Sequence, residues 1–87
     1  MCLDFIFVNL VVSMSVLSER LKRVRNERNL TQKQVGEGIG KNERHYQFYE
    51  YGKKEPVASN LVNLCRCLDV SSDYLLGLSD EPRRLDR

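Results

Sequence analysis

Histidine occurs once in this chain, at position 45, and cysteine only three times, at positions 2, 65 and 67. One histidine excludes the paired-imidazole metal sites, and the cysteines show no paired CxxC spacing, so no metal is expected. Three cysteines are too few and too odd in number for a disulfide scaffold. Cys65 and Cys67 lie two apart, which on a helix points them in different directions. They read as small buried core residues. Free thiols without a clear export signal fit a cytoplasmic protein. Catalytic signatures are also missing. No nucleophile sits at a recognisable spacing from a base, no glycine-rich loop cradles a phosphate, and Asp and Glu are scattered along the chain. Neither an enzyme nor a cofactor is expected. There is no internal repeat and no low-complexity tract.

A long hydrophobic run is lacking too. The most apolar stretch, "MCLDFIFVNLVVSM" at residues 1–14, is too short to span a bilayer as a helix, and no membrane association is expected. It lacks the basic start and the small-residue cleavage site of a signal peptide. "FIFVNLVV" reads as a strand if ordered, but no second strand pattern exists to pair with it. Two readings fit: an arm that packs on the rest of the chain or pairs with a second copy, or upstream sequence translated with a domain that starts near Met14. Charge of one sign is not in large excess either. Net charge is +2 over 87 residues. Residues 1–54 hold ten Lys or Arg against six Asp or Glu, and residues 55–87 hold four against six. This mild polarity permits a polyanionic partner without demanding one.

What is present is helical periodicity in short pieces. Leu17, Leu21 and Val24 recur at spacings of four and three behind Ser18, a good N-cap, in a basic first helix that ends near Asn29. Thr31 caps a second helix, "QKQVGEGI", with Val35 and Ile39 inward. Gly36 and Gly38 each weaken that helix by about 1 kcal/mol relative to Ala, which points to a close approach by another helix at one of them at least. Gly40 suits the left-handed residue that ends it. Asn42 caps a third helix, Glu43 to Tyr51. Pro56 approaches a fourth, about Ala58–Leu68, with an apolar stripe at Leu61, Leu64, Cys65 and Leu68. Ser71 caps a fifth, stopped by Gly77. The tail "LSDEPRRLDR" has little apolar content and is expected to fray. The predicted fold is an all-α bundle of five short helices. Residues 1–16 are its apolar N-terminal extension, 17–77 the domain and 78–87 a flexible charged tail.

The third helix, "ERHYQFYEY", mixes rings with charges. At about 100° per residue, Tyr46 and Tyr49 fall on one side with Glu50 beside them. Arg44, Gln47, Phe48 and Tyr51 project away, with His45 and Glu43 on the flanks. A carboxylate on the inward side needs a cation, and the planar fork of Arg25 suits it. Arg and Gln are side chains that make bidentate contacts to base edges in the major groove. Two short helices joined by a glycine turn are the helix-turn-helix plan.

"LTQKQVGEGIGKNERHYQFYEYGKKEP" followed by "NLVNLCRCLDVSSDYLLG" resembles the DNA-binding domain of the phage Cro/C1-type, Xre-like repressors over residues 17–77. The resemblance implies a lambda-repressor-like helix-turn-helix domain that binds double-stranded operator DNA as a small transcriptional regulator. Within it Gln32 would hold a backbone phosphate and brace the reading helix. Glu43, Arg44, His45, Gln47 and Phe48 would fall on or beside the base-reading positions. Lys53 and Lys54, with Asn42, would meet phosphate, and Arg25 and Glu50 would match a family ion pair. A glutamate can accept from cytosine N4, and a phenylalanine can pack on a thymine methyl. Three departures stand out: Gly36 for the usual alanine, a benign change; Lys41 for an apolar residue; and Val57 for the usual cap of the fourth helix. A homodimer on a two-fold site is expected, built through residues 1–13 or the fifth helix. With no ligand-binding segment legible, no small-molecule ligand is expected. The alternative is a helix-turn-helix protein-interaction module, antitoxin-like or adaptor-like, favoured by the modest charge, Glu43 and an exposed Phe48.

Overall fold

The computed structural model describes residues 16–85, all of whose regular structure is helical. The expectations for residues 1–15, and for the last two residues, lie outside the described part. Five helices follow one another: α1 (residues 16–27), α2 (Gln32–Gly38), α3 (Glu43–Glu50), α4 (Ala58–Leu68) and α5 (Ser72–Leu76). Their apolar stripes meet in one core. Leu17, Leu21 and Val24 from α1 join Val35, Ile39, Tyr46, Tyr49, Leu64, Leu68, Tyr74 and Leu75, all buried. No helix among the described residues is long and apolar enough to cross a membrane.

The helix starts follow from local chemistry, with two exceptions. Thr31 Oγ1 accepts from the Gln34 amide at 3.0 Å while Gln34 Oε1 accepts from the Thr31 amide at 2.8 Å. This capping box satisfies two orphan donors at once. Asn42 Oδ1 takes the His45 amide at 2.8 Å, and Ser71 Oγ takes the Tyr74 amide at 3.4 Å. Val57 precedes α4 and supplies no side-chain cap. The second exception is Ser18. The helix is already running at residue 16, so Ser18 lies inside α1 rather than at its cap. Burial of Leu17, 6% exposed, and the contact of Val16 with the end of α5 at Gly77 hold that extra turn in register.

The turn between α2 and α3 places the third helix. Gly40 has φ +76°, a left-handed conformation that side chains rarely tolerate, and it redirects the chain within two residues. Gly36 faces the incoming turn. A Cβ there would sit 2.5 Å from the Asn42 carbonyl oxygen and 2.8 Å from the Glu43 nitrogen. Reading Gly36 as a benign departure is therefore corrected: its missing side chain is the space that the start of α3 occupies. On the other side of α2, the Cys67 thiol packs against Gly38. Cys65 is buried and Cys67 half-buried, both as free thiols, and burial pushes both above the ordinary range.

The charged segment read as a fraying tail lies back on the body as far as residue 85. The Arg83 carbonyl accepts from the Ser71 amide at 2.8 Å, Arg84 pairs with Asp69, and Leu85 packs on the core. Arg20 of α1 secures the same region. Its guanidinium donates to the Tyr74 and Ser79 carbonyls at 2.6 Å, pairs with Asp80 at 2.9 Å and stacks 4.3 Å from the centre of the Tyr74 ring. The sequence hid this because the contacts are polar and nonlocal, and apolar content does not register them.

Candidate nucleic-acid interface

The inward side of α3 is locked by a polar network. Arg25 Nε and Nη2 meet the two carboxylate oxygens of Glu50 at 2.8 and 2.9 Å, and its Nη1 donates to the Leu30 carbonyl at 2.9 Å. Bidentate pairing of this kind is both strong and directional. Gln32 at the start of α2 donates to Glu50 at 3.2 Å and accepts from Gln47 Nε2 at 3.1 Å. Three helices thus converge on one carboxylate. Burial acts to raise the Glu50 carboxyl, but hydrogen bonds from Arg25, reinforced by Gln32 and by the nearby Tyr46 hydroxyl, hold it below the ordinary carboxylate range. Arg25 is raised, chiefly by its hydrogen bond to Glu50. The Tyr46 hydroxyl is buried close to the Glu50 carboxylate but meets no partner in full hydrogen-bonding geometry among the described residues, and burial pushes its phenol far up.

A second tie joins α3 to α4. The Tyr49 hydroxyl accepts from Asn60 Nδ2 at 2.8 Å and lies 2.7 Å from His45 Nε2. The His45 and Tyr49 rings stand edge to face at 5.2 Å. With Asn60 donating, the arrangement that satisfies all three groups has the Tyr49 hydroxyl donating to an unprotonated Nε2. His45 is thus half-buried and engaged, within the first turn of α3.

The outward side divides unevenly. Glu43 and Arg44 are exposed, whereas Phe48 is half-buried, with the Arg44 guanidinium 5.8 Å and the Lys54 ammonium 5.9 Å from its ring centre. Gln47, expected to project away with them, instead turns toward α2 and donates to Gln32. Its position one turn before Tyr51 puts it on the flank nearest α2, where an unpaired amide would be costly. Tyr51 is 58% exposed, and its hydroxyl accepts from Gln32 at 3.5 Å. Lys53 and Lys54 follow at once. Both of their amides donate to the Phe48 carbonyl, at 2.8 and 3.2 Å, and both side chains are exposed. Asn42 spends its oxygen on the cap, and its NH2 has no partner among the described residues.

Asn42, Glu43, Arg44, Lys53 and Lys54 are thus exposed along α3 and at its two ends, and Arg44 and Lys54 flank the half-buried Phe48. Gln32, Gln47 and His45 lie behind them as braces. At the level of sequence, Tyr51 was set on the outward side without a role in this network, and Asn60 was missed. Tyr51 had a usable signal, since it sits four residues after Gln47 on the same helix. Asn60 had none, because its partner lies on another helix.

The sequence profile of the helix-turn-helix family matches residues 21–75. The chain belongs to the Cro/C1-type helix-turn-helix family. Curated relatives agree. The uncharacterized HTH-type transcriptional regulator YobD of Bacillus subtilis is 44% identical over 64 residues, 74% of this chain and 57% of the relative. The uncharacterized HTH-type transcriptional regulator YqaE of the same organism is 42% identical over 67 residues, 76% of this chain and 58% of the relative. The cryptic phage CTXphi transcriptional repressor RstR of Vibrio cholerae is 37% identical over 71 residues, 79% of this chain and 63% of the relative. The chain thus spans 54–63% of the length of these and similar relatives. No solved structure gives a significant match. The helix-turn-helix family consists of DNA-binding regulators rather than enzymes.

Proposed function

We propose that this chain binds double-stranded DNA sequence-specifically, with α3 in the major groove, and acts as a small transcriptional repressor. The observation that carries this reading is the two-sided character of α3. Its inner side is fixed by Arg25, Gln32, Gln47 and Asn60, while Glu43 and Arg44 are exposed and Phe48 is half-buried beside them. A helix that must read base edges needs that combination, since rotation of the helix by a fraction of a turn would misdirect every contact. Glu43, Arg44 and Phe48 would face the bases. Gln47 and His45 would act through the braces that aim them. Asn42, Lys53 and Lys54, with Gln32 at the rim, would meet phosphates on either side and set the register.

A single module of this size buries limited DNA surface, so a homodimer on a two-fold site is part of the reading. It is supported by an open, mostly apolar cleft of about 340 Å³ between α4 and Leu85, lined by Ala58, Leu61, Val62, Cys65, Ser72 and Leu85 with Arg66 among them. The free thiols support a cytoplasmic location.

The test is binding to duplexes selected from a random pool, repeated across salt concentrations. Each phosphate neutralised should contribute a slope of about −0.9 in log affinity against log salt. Replacing Lys53 by Ala should weaken all duplexes alike and flatten the slope by about 1. A pool with no enriched sequence, together with salt-insensitive binding, would overturn the reading in favour of a protein-interaction module.

A further inference from the structure

Beside the exposed Arg44, α3 carries a half-buried apolar ring where a hydrogen-bonding side chain would be the simpler choice. Phe48 lies four residues after Arg44, one turn on, and its ring centre is 5.8 Å from the Arg44 guanidinium carbon. Lys54 brings a second cation within 5.9 Å of the same ring. The attraction of a cation to the ring face favours this arrangement, so Arg44 is held alongside Phe48 instead of sweeping freely through solvent. Ring and guanidinium then form a composite surface, with an apolar patch flanked by a donor fork.

The spacing limits what that surface can touch. Base pairs rise by about 3.4 Å per step, so groups two steps apart would be about 6.8 Å apart along the axis. The 5.8 Å between guanidinium and ring centre is shorter than two steps, which lets the pair reach two adjacent base pairs. A guanidinium fork matches guanine O6 and N7, and the apolar feature of the major groove is the C5 methyl of thymine. Right-handed stacking sets the C5 methyl of a pyrimidine beside the guanine that follows it on the same strand. Lys54, beyond the ring, is left for a phosphate.

Building on the DNA-reading proposal above, we infer that Arg44 and Phe48 act together as a reader of a C5-methylated pyrimidine followed by guanine, in unmodified DNA the step 5′-TG-3′. Arg44 takes the guanine, and Phe48 takes the methyl and steadies the arginine.

The experiment uses the duplex enriched from the random pool and changes the DNA rather than the protein. Thymine at the step is replaced by deoxyuridine, which deletes only the methyl. A second pair of duplexes carries cytosine or 5-methylcytosine at the same place. Loss of one buried methyl should lower affinity about fourfold for the native chain. The same swap should have no effect on Phe48→Ala, and Phe48→Leu should retain part of it. A methyl effect at thymine alone assigns the unmodified step, and an equal effect in the cytosine pair assigns the methyl itself. An enriched duplex without a pyrimidine–guanine step, or one that binds equally with and without the methyl in both pairs, overturns the inference and leaves DNA reading intact. Absence of any enriched duplex overturns both.

Discussion

Glu50 is only 7% exposed, yet it carries a carboxylate on the side of α3 that faces the core. It is tolerated because Arg25 covers both of its oxygens and Gln32 adds a third donor. The stability that this site adds is asymmetric. Removing one partner leaves a charge buried and uncompensated, whereas removing both leaves none. Arg25→Ala is accordingly expected to cost about 3–5 kcal/mol, read as a large drop in melting temperature. Arg25→Met combined with Glu50→Leu should recover much of that loss; a double variant as unstable as Arg25→Ala would show that the cost lies elsewhere. The same site sets an acid limit. Because the folded carboxyl titrates below its unfolded value, the unfolded chain binds the proton first as pH falls. The Glu50 contribution is thus fully present above about pH 4.3, the unfolded value, and disappears as pH drops through the lower folded value. Denaturant midpoints measured from pH 6 down to pH 2 should fall for the native chain in that window, and Glu50→Gln should lack this component.

At the scale of elements, the geometry of α3 depends on the absence of a side chain. Gly36 sits in mid-helix, where alanine would ordinarily stabilise by about 1 kcal/mol. Here the added carbon would fall 2.5 Å from backbone atoms of the next turn, which cannot rotate away. Gly36→Ala should therefore be net destabilising by about 1–3 kcal/mol, and it should shift α3 relative to α2. The accompanying readout is DNA affinity, which is expected to fall even at temperatures where the variant stays folded. A variant more stable than the native chain would mean that the turn opens easily and that Gly36 is replaceable. The opposite end of α3 is pinned differently, through Tyr49 to Asn60 of α4. Steric closeness fixes one end and a hydrogen bond fixes the other.

For the whole molecule, the distribution of apolar surface is the open question of assembly. Val57, Val62, Leu76 and Leu78 are exposed, with Leu78 at 78%, and all of them lie in the half of the chain after α3. A domain this small buries only about 60% of its unfolded surface, so a second copy covering some of these residues would add stability as well as a second reading helix. Val62→Glu, at the rim of the apolar cleft, is expected to weaken self-association at least tenfold in sedimentation velocity while leaving α3 and its network unchanged. A dimer unaffected by that change would move the interface to another face.

The sequence alone determined the periodic and the capped parts of this protein. The stripes Leu17, Leu21, Val24 and Leu64, Cys65, Leu68, the caps Thr31, Asn42 and Ser71, and the left-handed Gly40 and Gly77 all act within one or two turns, and local chemistry fixes them. The opposition of Arg25 and Glu50 was legible for a related reason: a charge on an apolar stripe requires a partner. What only the tertiary structure decided was the fate of side chains whose partners are distant in sequence. Gln47 and His45 point the way helical geometry allows, but Gln32 and Tyr49 capture them. The segment after Gly77 reads as solvated, yet Arg20 and Asp69 hold it through residue 85. Helix position limits where a side chain can go, and only packing brings up the partner that decides whether it stays.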